Sequence, residues 1–345
     1  MTTWKLTSLV GLIGAFLPTY AAPVDSLRQT FLPLPSRIVT QAAENGTYIE
    51  NIAVRSNGGL LVTLLQPSAS VYAVEDPFSR SPSMSLVHTF EGANGLTGIS
   101  ETSPDTFVVA AARYPGLAAP YQNTSTLWEL KLNNKGEEAT VHKIVHIPEA
   151  SLLNGIVTVP SYKAAVLVGD SVLGVVFRVD VTTGRYDVVL DIPELKPIVG
   201  GPIDLGVNGV KIRAGYLYWS NTDRASIYRF PIDMLGYPVQ GAKVEQVAAI
   251  KNASGVDDFA LDRQGNIWAA TDFDNMLITI QKDGRETVVL GSPTELTVAG
   301  DTSVAFGRTP LDRHILYVTT SGAAAVPVNG TIIELGKIVA VDTRG

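Results

Sequence analysis

The 345-residue chain combines 46% hydrophobic with 17% charged residues, which excludes a disordered protein and provides for a large buried core. Its net charge of -7 argues against a nucleic-acid partner, because nucleic-acid binding usually needs a basic face. The absence of cysteine excludes a disulfide scaffold, a thiolate nucleophile and a cysteine-ligated zinc site.

The N-terminal residues have the pattern of a secretory signal peptide. Lys5 supplies a positive charge ahead of the apolar run 6–17, and small residues at 19–21 suit a cleavage site. The run is too short to span a membrane. We therefore expect removal of residues 1–21, which leaves 22–345 as a single secreted domain with no membrane contact. A buried N-terminal helix is the alternative.

Four Asn-X-Ser/Thr sequons agree with a secretory route. They begin at Asn45, Asn123, Asn252 and Asn329. A single triplet is weak because it often arises by chance, but four of them after a signal peptide predict N-glycosylation in the secretory lumen.

A unit of four short β-prone segments recurs six times along the chain, with a period of about 50 residues. The units cover residues 50–90, 96–145, 154–190, 208–248, 257–290 and 303–341. Four strands per unit predict an all-β, six-bladed β-propeller with four antiparallel strands per blade. The sixth unit can supply its own four strands, one of them at 331–333, although 37–40 could add to or replace a strand there. A two-domain β-sandwich is the alternative, but no linker interrupts the units.

Polar residues open the first segment of most units. The first strand of each blade lines the channel of a propeller, so these side chains should converge. They are Glu50, Asn154, Asn208 and Asp257, with Thr97 in unit two and Thr302 or Ser303 in unit six. Two carboxylates and two carboxamides suit Ca²⁺ or Mg²⁺, and no organic cofactor motif appears. The alternative is that each Asn or Asp only caps a turn.

Other side chains separate the candidate reactions. Tyr114 and Tyr121 lie in the longest loop of unit two and are candidates for a lid. Four further aromatic residues could form channel walls or pack between blades: Tyr72, Trp128, Trp219 and Phe273. All histidines fall in outer or second segments, away from the channel, which excludes a histidine dyad or a Ser-His-Asp triad there. They are His88, His142, His146 and His314.

At the donor residues the chain resembles the six-bladed gluconolactonase, senescence-marker and luciferin-regenerating family. The resemblance implies metal ligands at Glu50, Asn154, Asn208 and Asp257, and the segment 257–268 carries its most specific motif. One departure follows the glutamate. The family usually has Gly/Ser-Pro-x-Trp there, whereas this chain has Asn-Ile-Ala-Val, which argues against ordinary lactonase activity.

A narrower resemblance is to secreted, cysteine-free fungal propellers encoded in natural-product clusters. It rests on Glu-Asn-Ile-Ala-Val-Arg-Ser-Asn-Gly at 50–58 and Thr-Ser-Val-Ala-Phe-Gly at 302–307. Some members are hetero-Diels-Alderases that join a tropolone quinone methide to a humulene-type alkene, making tropolonic sesquiterpenoids. The resemblance implies small hydrophobic polyketide and terpenoid substrates. Candidate catalytic residues are Glu50, Asp257, Asn208 and Tyr114.

Three functions stay open at this point. A pericyclic enzyme needs no nucleophile, only two partners held in a reactive pose and a polarised oxygen. A Ca²⁺-dependent lactonase or esterase would use a metal-bound water. A non-catalytic ligand-binding propeller needs neither. Apolar channel walls favour the first, a polar open channel the second, and a sealed or shallow channel the third.

Overall fold

The computed structural model describes residues 1–2, 31–133 and 139–344. Their regular structure consists of 24 β-strands and one short 3-10 turn, Pro193–Leu195. The expected signal peptide lies outside the described residues, apart from its first two. Among the residues described, no helix is long and apolar enough to cross a membrane.

Five blades are each built from four consecutive strands, paired antiparallel in chain order. Blade one contains β2 (Tyr48–Val54), β3 (Leu60–Gln66), β4 (Ser70–Val74) and β5 (Ser85–Thr89). Blade two contains β6 (Gly95–Ser103), β7 (Thr106–Ala112), β8 (Thr126–Leu132) and β9 (Ala139–His146). Blade three contains β10 (Leu153–Thr158), β11 (Ala165–Asp170), β12 (Val175–Asp180) and β13 (Tyr186–Leu190). Blade four contains β14 (Val207–Arg213), β15 (Tyr216–Asn221), β16 (Ser226–Pro231) and β17 (Glu245–Ala249). Blade five contains β18 (Phe259–Leu261), β19 (Ile267–Ala270), β20 (Met276–Ile280) and β21 (Glu286–Gly291).

The sixth blade joins the two ends of the chain. It contains β22 (Asp301–Phe306), β23 (Ile315–Thr320), β24 (Lys337–Asp342) and, as its outer strand, β1 (Ser36–Gln41). Ser36 pairs with Val341, so an N-terminal strand closes the ring. The prediction of a strand at 331–333 is wrong, because this segment forms only an isolated bridge between Val328 and Ile332. The outer position of the sheet is taken by β1, and Ile332 and Ile333 stay exposed. The six-bladed propeller with four strands per blade is confirmed.

Apolar side chains fill the space between neighbouring blades. Trp219 is fully buried in the core between blades three and four and stacks on Tyr228 of its own blade, with ring centroids 5.7 Å apart. Phe90, at the end of blade one, meets Trp128 of blade two edge to face, with the same centroid separation. Tyr72 packs in the core between blades one and six. Three of the aromatic residues singled out in the sequence therefore stabilise the fold and do not form channel walls.

Candidate active site

The four predicted donor residues line one cavity of about 200 Å³ on the channel axis, together with Thr97. Each comes from the inner strand of a different blade or from the residues just before it. The four are between 4% and 7% exposed. The structure thus places two carboxyl and two carboxamide groups together in one buried cavity: Glu50, Asn154, Asn208 and Asp257.

Three of the inner strands are irregular at the level of these residues. The register of strand pairing shifts between Ile49 and Asn51 in β2, and between Leu153 and Ile156 in β10. The same shift occurs between Val207 and Val210 in β14. A β-bulge redirects side chains and leaves backbone groups unpaired. Glu50, Asn154 and Asn208 therefore lie on bulges within strands, whereas Asp257 precedes β18. The turn-cap alternative is wrong for Asn154 and Asn208.

Glycines beside the donors allow neighbouring inner strands to approach closely. A Cβ on Gly98 would lie 2.1 Å from the backbone oxygen of Asn154, and one on Gly155 would lie 2.3 Å from that of Asn208. A Cβ on Gly209 would lie 2.0 Å from Oδ1 of Asp258. Real Cβ contacts essentially never fall below 3.0 Å. The Asn-Gly pairs thus reflect close backbone contact between blades.

Hydrogen bonds fix part of this set. The Asn208 amide Nδ2 donates to Thr222 Oγ1 at 3.1 Å. Below the donors, Asp258 Oδ1 accepts a hydrogen bond from Lys211 Nζ at 2.6 Å, and Ser303 Oγ donates to Asp258 Oδ2 at 2.8 Å. Asp258 and Lys211 thus form an ion pair. Within the described part of the chain, the carboxyl groups lining the cavity have no such cationic partner.

Burial and mutual repulsion favour the neutral form of the cavity's acids. Burial, followed by repulsion from Asp272 and Asp258, raises the pKa of Glu50 to about 8. Burial raises the pKa of Asp272 to about 7. Burial and then repulsion from Glu50 hold the pKa of Asp257 well above its usual range. At neutral pH the cavity therefore contains protonated carboxyl groups that can donate hydrogen bonds, unless a cation is bound.

Sequence reasoning missed three polar residues of the cavity: Tyr48, Thr222 and Asp272. The Tyr48 hydroxyl donates to Asp272 Oδ2 at 3.4 Å, and both residues line the cavity. Asp272 follows β19, the second strand of its blade. The repeats could have predicted a polar residue at this position. Thr222 directly follows β15 and Asp170 ends β11, so a polar residue recurs at the end of the second strand.

The rest of the cavity wall is apolar. Its members are Leu65, Tyr114, Leu117, Leu152, Ile203, Leu205 and Phe273. Tyr114 is held by Asn94, whose side chain accepts from the Tyr114 backbone N at 2.6 Å and donates to its backbone O at 2.9 Å. Tyr121 lies outside the cavity, 54% exposed beside Arg113. Of the two lid candidates, only Tyr114 contacts the site.

Two curated relatives match most of the chain. A protein of Sarocladium schorii, provisionally named a hetero-Diels-Alderase, is 32% identical over 343 residues, covering 91% of this chain and 84% of that one. A protein of a Phoma species with the same provisional name is 34% identical over 356 residues, covering 96% and 99%. The chain belongs to the family of these hetero-Diels-Alderase relatives.

The wider relationship of this hetero-Diels-Alderase family is visible in the second half of the chain and in the fold. Residues 206–322, which include Asn208 and Asp257, match the SMP-30/Gluconolactonase/LRE-like region. A solved luciferin-regenerating enzyme superposes with a TM-score of 0.59 at 15% identity, covering 87% of this chain and 94% of that one. At that identity the likeness concerns the fold alone.

The donor set of this hetero-Diels-Alderase relative also fits a divalent cation in its chemistry. Carboxylate and amide oxygens are the ligands that Ca²⁺ and Mg²⁺ prefer. Among residues 1–2, 31–133 and 139–344, no group of three His, Asp or Glu side chains is arranged to hold a metal by itself. A cation bound here would therefore need the oxygens of Asn154 and Asn208 as well as the acids.

The remaining predicted positions lie on the outside. His88 belongs to β5, and His142 and His146 belong to β9, both outer strands. His314 precedes β23. The four sequon asparagines are all exposed, which leaves them sterically open to modification: Asn45, Asn123, Asn252 and Asn329.

Proposed function

We propose that this protein is a hetero-Diels-Alderase that binds small natural-product substrates in the cavity on the blade axis. One observation carries the proposal: the cavity combines apolar lining residues with buried carboxyl groups of raised pKa. Such a site can hold apolar reactants and donate a hydrogen bond to an oxygen atom. The two curated relatives support this function.

The reaction needs little more than that from the protein. In a hetero-Diels-Alder addition, one carbon–carbon and one carbon–oxygen bond form, three π bonds become one, and no group leaves. No net proton transfer occurs. Holding both partners together supplies much of the rate enhancement, because well-oriented reactants avoid the entropic cost of meeting. A hydrogen bond to the carbonyl oxygen of the heterodiene stabilises the charge that develops there.

The residues divide these tasks. Glu50, neutral at pH 7 because of its raised pKa, donates a hydrogen bond to the heterodiene oxygen. Asn208 is oriented by Thr222 and presents its amide oxygen to the cavity. The Tyr114 ring packs against the apolar partner. When bound, Ca²⁺ or Mg²⁺ would be held by Glu50, Asn154, Asn208 and Asp257 and would supply Lewis-acid polarisation.

The finer substrate proposal is a tropolone quinone methide joined to a humulene-type alkene. The apolar wall of the cavity supports this proposal, and so does the fact that the cycloaddition needs no nucleophile from the protein. The cavity of about 200 Å³ is smaller than the roughly 300–1,000 Å³ common for drug-sized ligands. The loop 113–125, which carries Tyr114 and Leu117, would therefore move outward to admit both partners. Secretion and N-glycosylation belong to the same proposal, supported by the N-terminal pattern and the exposed sequons.

A metal-dependent lactonase is the second candidate, favoured by the family match over residues 206–322. One experiment separates the two. The purified protein is incubated with a quinone-methide precursor and a humulene-type alkene, and beside it with a lactone. We expect cycloadduct with an enantiomeric excess and faster than without protein. Racemic product at the uncatalysed rate, together with rapid lactone opening, would overturn the cyclase and support the hydrolase.

A further inference from the structure

A second cavity, of about 720 Å³, opens at the opposite end of the propeller channel. It is lined by residues of the same inner strands that come after the bulges. Ile52, for example, lies two residues after Glu50, and Ile156 lies two residues after Asn154. The layer that contains Gly155 and the Asp258 carboxylate lies between the two cavities. The proposed reaction makes no use of this second space.

The wall of the second cavity is largely apolar where the inner strands run through it. Its main apolar members are Ile52, Val54, Ile99, Ile156, Val304 and Phe306. Because these residues come from four different blades, the apolar surface surrounds the axis. A ligand seated here would therefore bury its hydrophobic part from several sides.

Two of the cations that line the cavity are already paired. Lys211 lies against Asp258, with Nζ to Oδ1 at 2.6 Å. Arg308 forms an ion pair with Glu101. Lys211 carries three N–H donors and uses one on Asp258, which leaves two for a ligand. These pairs contribute no net charge to the cavity.

Arg213 and Arg263 add two positive charges to the lining and Asp262 adds one negative charge, so the cavity has a net positive charge. The Arg213 guanidinium is held at the rim because it donates to the backbone oxygens of Asp262 and Arg263, the latter at 2.7 Å. Within the described residues, neither arginine has a carboxylate at salt-bridge distance. Lys282 runs alongside, since a Cβ on Gly265 would lie 3.0 Å from Lys282 Cε and 3.7 Å from Arg213 Cζ. In a chain of net charge -7, this is a local concentration of positive charge.

The Asp262 carboxylate does not cancel that charge by pairing. Its Oδ1 accepts from the backbone N of Gly265 and of Asn266, at 2.7 and 2.8 Å. Its Oδ2 accepts from Asn266 Nδ2 at 2.8 Å. The Asp262 carboxylate therefore forms its hydrogen bonds within its own turn. The remaining guanidinium N–H groups of Arg213 and Arg263 are left for an anion.

We propose that the second cavity binds a small organic anion with an apolar body, an aromatic or aliphatic carboxylate or sulfonate. The guanidinium fork of arginine matches the two oxygens of such a group and binds it bidentately. The acid group contacts Arg213 and Arg263 at the rim, and the apolar body lies against the inner strands. This site is separate from the proposed active site and does not depend on its function.

The test uses two fluorescent probes that differ in charge: anilinonaphthalene sulfonate and uncharged phenylnaphthylamine. Each is titrated into the full protein while fluorescence is measured. We expect one saturable site with the sulfonate bound more tightly. The double variant Arg213→Gln, Arg263→Gln should weaken sulfonate binding by about tenfold or more and leave the neutral probe unchanged, because only the charge-assisted hydrogen bonds are lost.

Two controls locate the binding. Arg185→Gln makes the same charge change on the exposed outer hairpin of blade three and should have no effect. Tyr114→Ala alters the other cavity and should also have none. The proposal is overturned if no saturable binding occurs, if Arg185→Gln weakens binding equally, or if Tyr114→Ala removes it while the double variant does not. Arg263→Gln alone, at an exposed position, keeps the test valid if the double variant is unstable.

Discussion

Gly155 of blade three and Asn208 of blade four are in direct backbone contact, because a Cβ on Gly155 would lie 2.3 Å from the Asn208 carbonyl oxygen. Gly98 makes the equivalent contact with the Asn154 carbonyl oxygen, and Gly209 lies against Asp258 of blade five. The spacing of the donor residues around the axis is therefore set by neighbouring strands that touch through glycine. The donors and the packing of the blades cannot vary independently.

This contact predicts the effect of a single methyl group. Gly155→Ala should lower the free energy of unfolding by about 1–3 kcal/mol, the usual cost of overpacking, and should displace Asn208. Chemical denaturation measures the change. Gly59→Ala is the matched control, since its Cβ would meet only side-chain atoms, of Asn57 and Arg55, at 3.2 to 3.5 Å. Equal stability of the two variants would contradict the close contact.

The raised pKa of Glu50 predicts a pH dependence of stability in metal-free protein. The folded value of about 8 exceeds the ordinary 4.5, so the folded state binds the proton more tightly than the unfolded chain. The contribution of Glu50 to stability is therefore fully present below about pH 4.5 and is lost as the pH rises towards 8. Denaturation in the presence of a chelator at pH 5 and pH 8 measures this loss. Glu50→Gln should reduce it, and an identical loss in the variant would show that other groups cause it.

A shared cation predicts a different response. If Glu50, Asn154, Asn208 and Asp257 hold one ion, a chelator should lower the melting temperature and added Ca²⁺ should restore it, because the ion binds only the folded state. Glu50→Gln and Asp257→Asn should each abolish the response. If neither the chelator nor Ca²⁺ changes the melting temperature, these residues act only through hydrogen bonds.

Two substitutions distinguish positioning from hydrolysis. Asp257→Asn keeps the shape and hydrogen-bonding capacity of the side chain but removes its acid group, so a metal hydrolase should lose most of its turnover while a cyclase loses much less. Tyr114→Ala should have the reverse effect, because its ring forms part of the apolar wall. Product yield and enantiomeric excess are measured beside lactone opening.

Tyr121→Ala is the control for the Tyr114 substitution. It removes a second tyrosine from the same loop, but one that is exposed and lies outside the cavity. Yield and enantiomeric excess should stay at the wild-type level. If both tyrosine variants lose selectivity alike, the loop acts through its mobility and the Tyr114 ring has no contact role.

The secretory proposal predicts a processed N-terminus. The exported protein should begin near Ala22 and shift to lower mass on removal of N-glycans, because the sequon asparagines are exposed. N-terminal sequencing and mass spectrometry measure both properties. An exported protein that still begins with Met1 would contradict the signal peptide.

The sequence by itself determined the architecture and most of the cavity's polar set. The period of about 50 residues predicts six blades, and the repeat places Glu50, Asn154, Asn208 and Asp257 at equivalent positions of inner strands. Equivalent positions in a closed ring face the same axis, so convergence follows from periodicity alone. For the same reason the outer histidines could be excluded from the channel.

Only the tertiary structure decided which segment forms the outer strand of blade six, which tyrosine lines the cavity, and how charged the cavity is. Strand β1, and not 331–333, takes the outer edge of blade six. Its pairing with β24 joins distant parts of the chain, so no local pattern of residues reveals it. Tyr114 lines the cavity and Tyr121 does not, although both belong to one loop. The neutral state of Glu50 depends on burial and on Asp272 and Asp258 beside it. Desolvation and repulsion act through space, so no local pattern of residues encodes them.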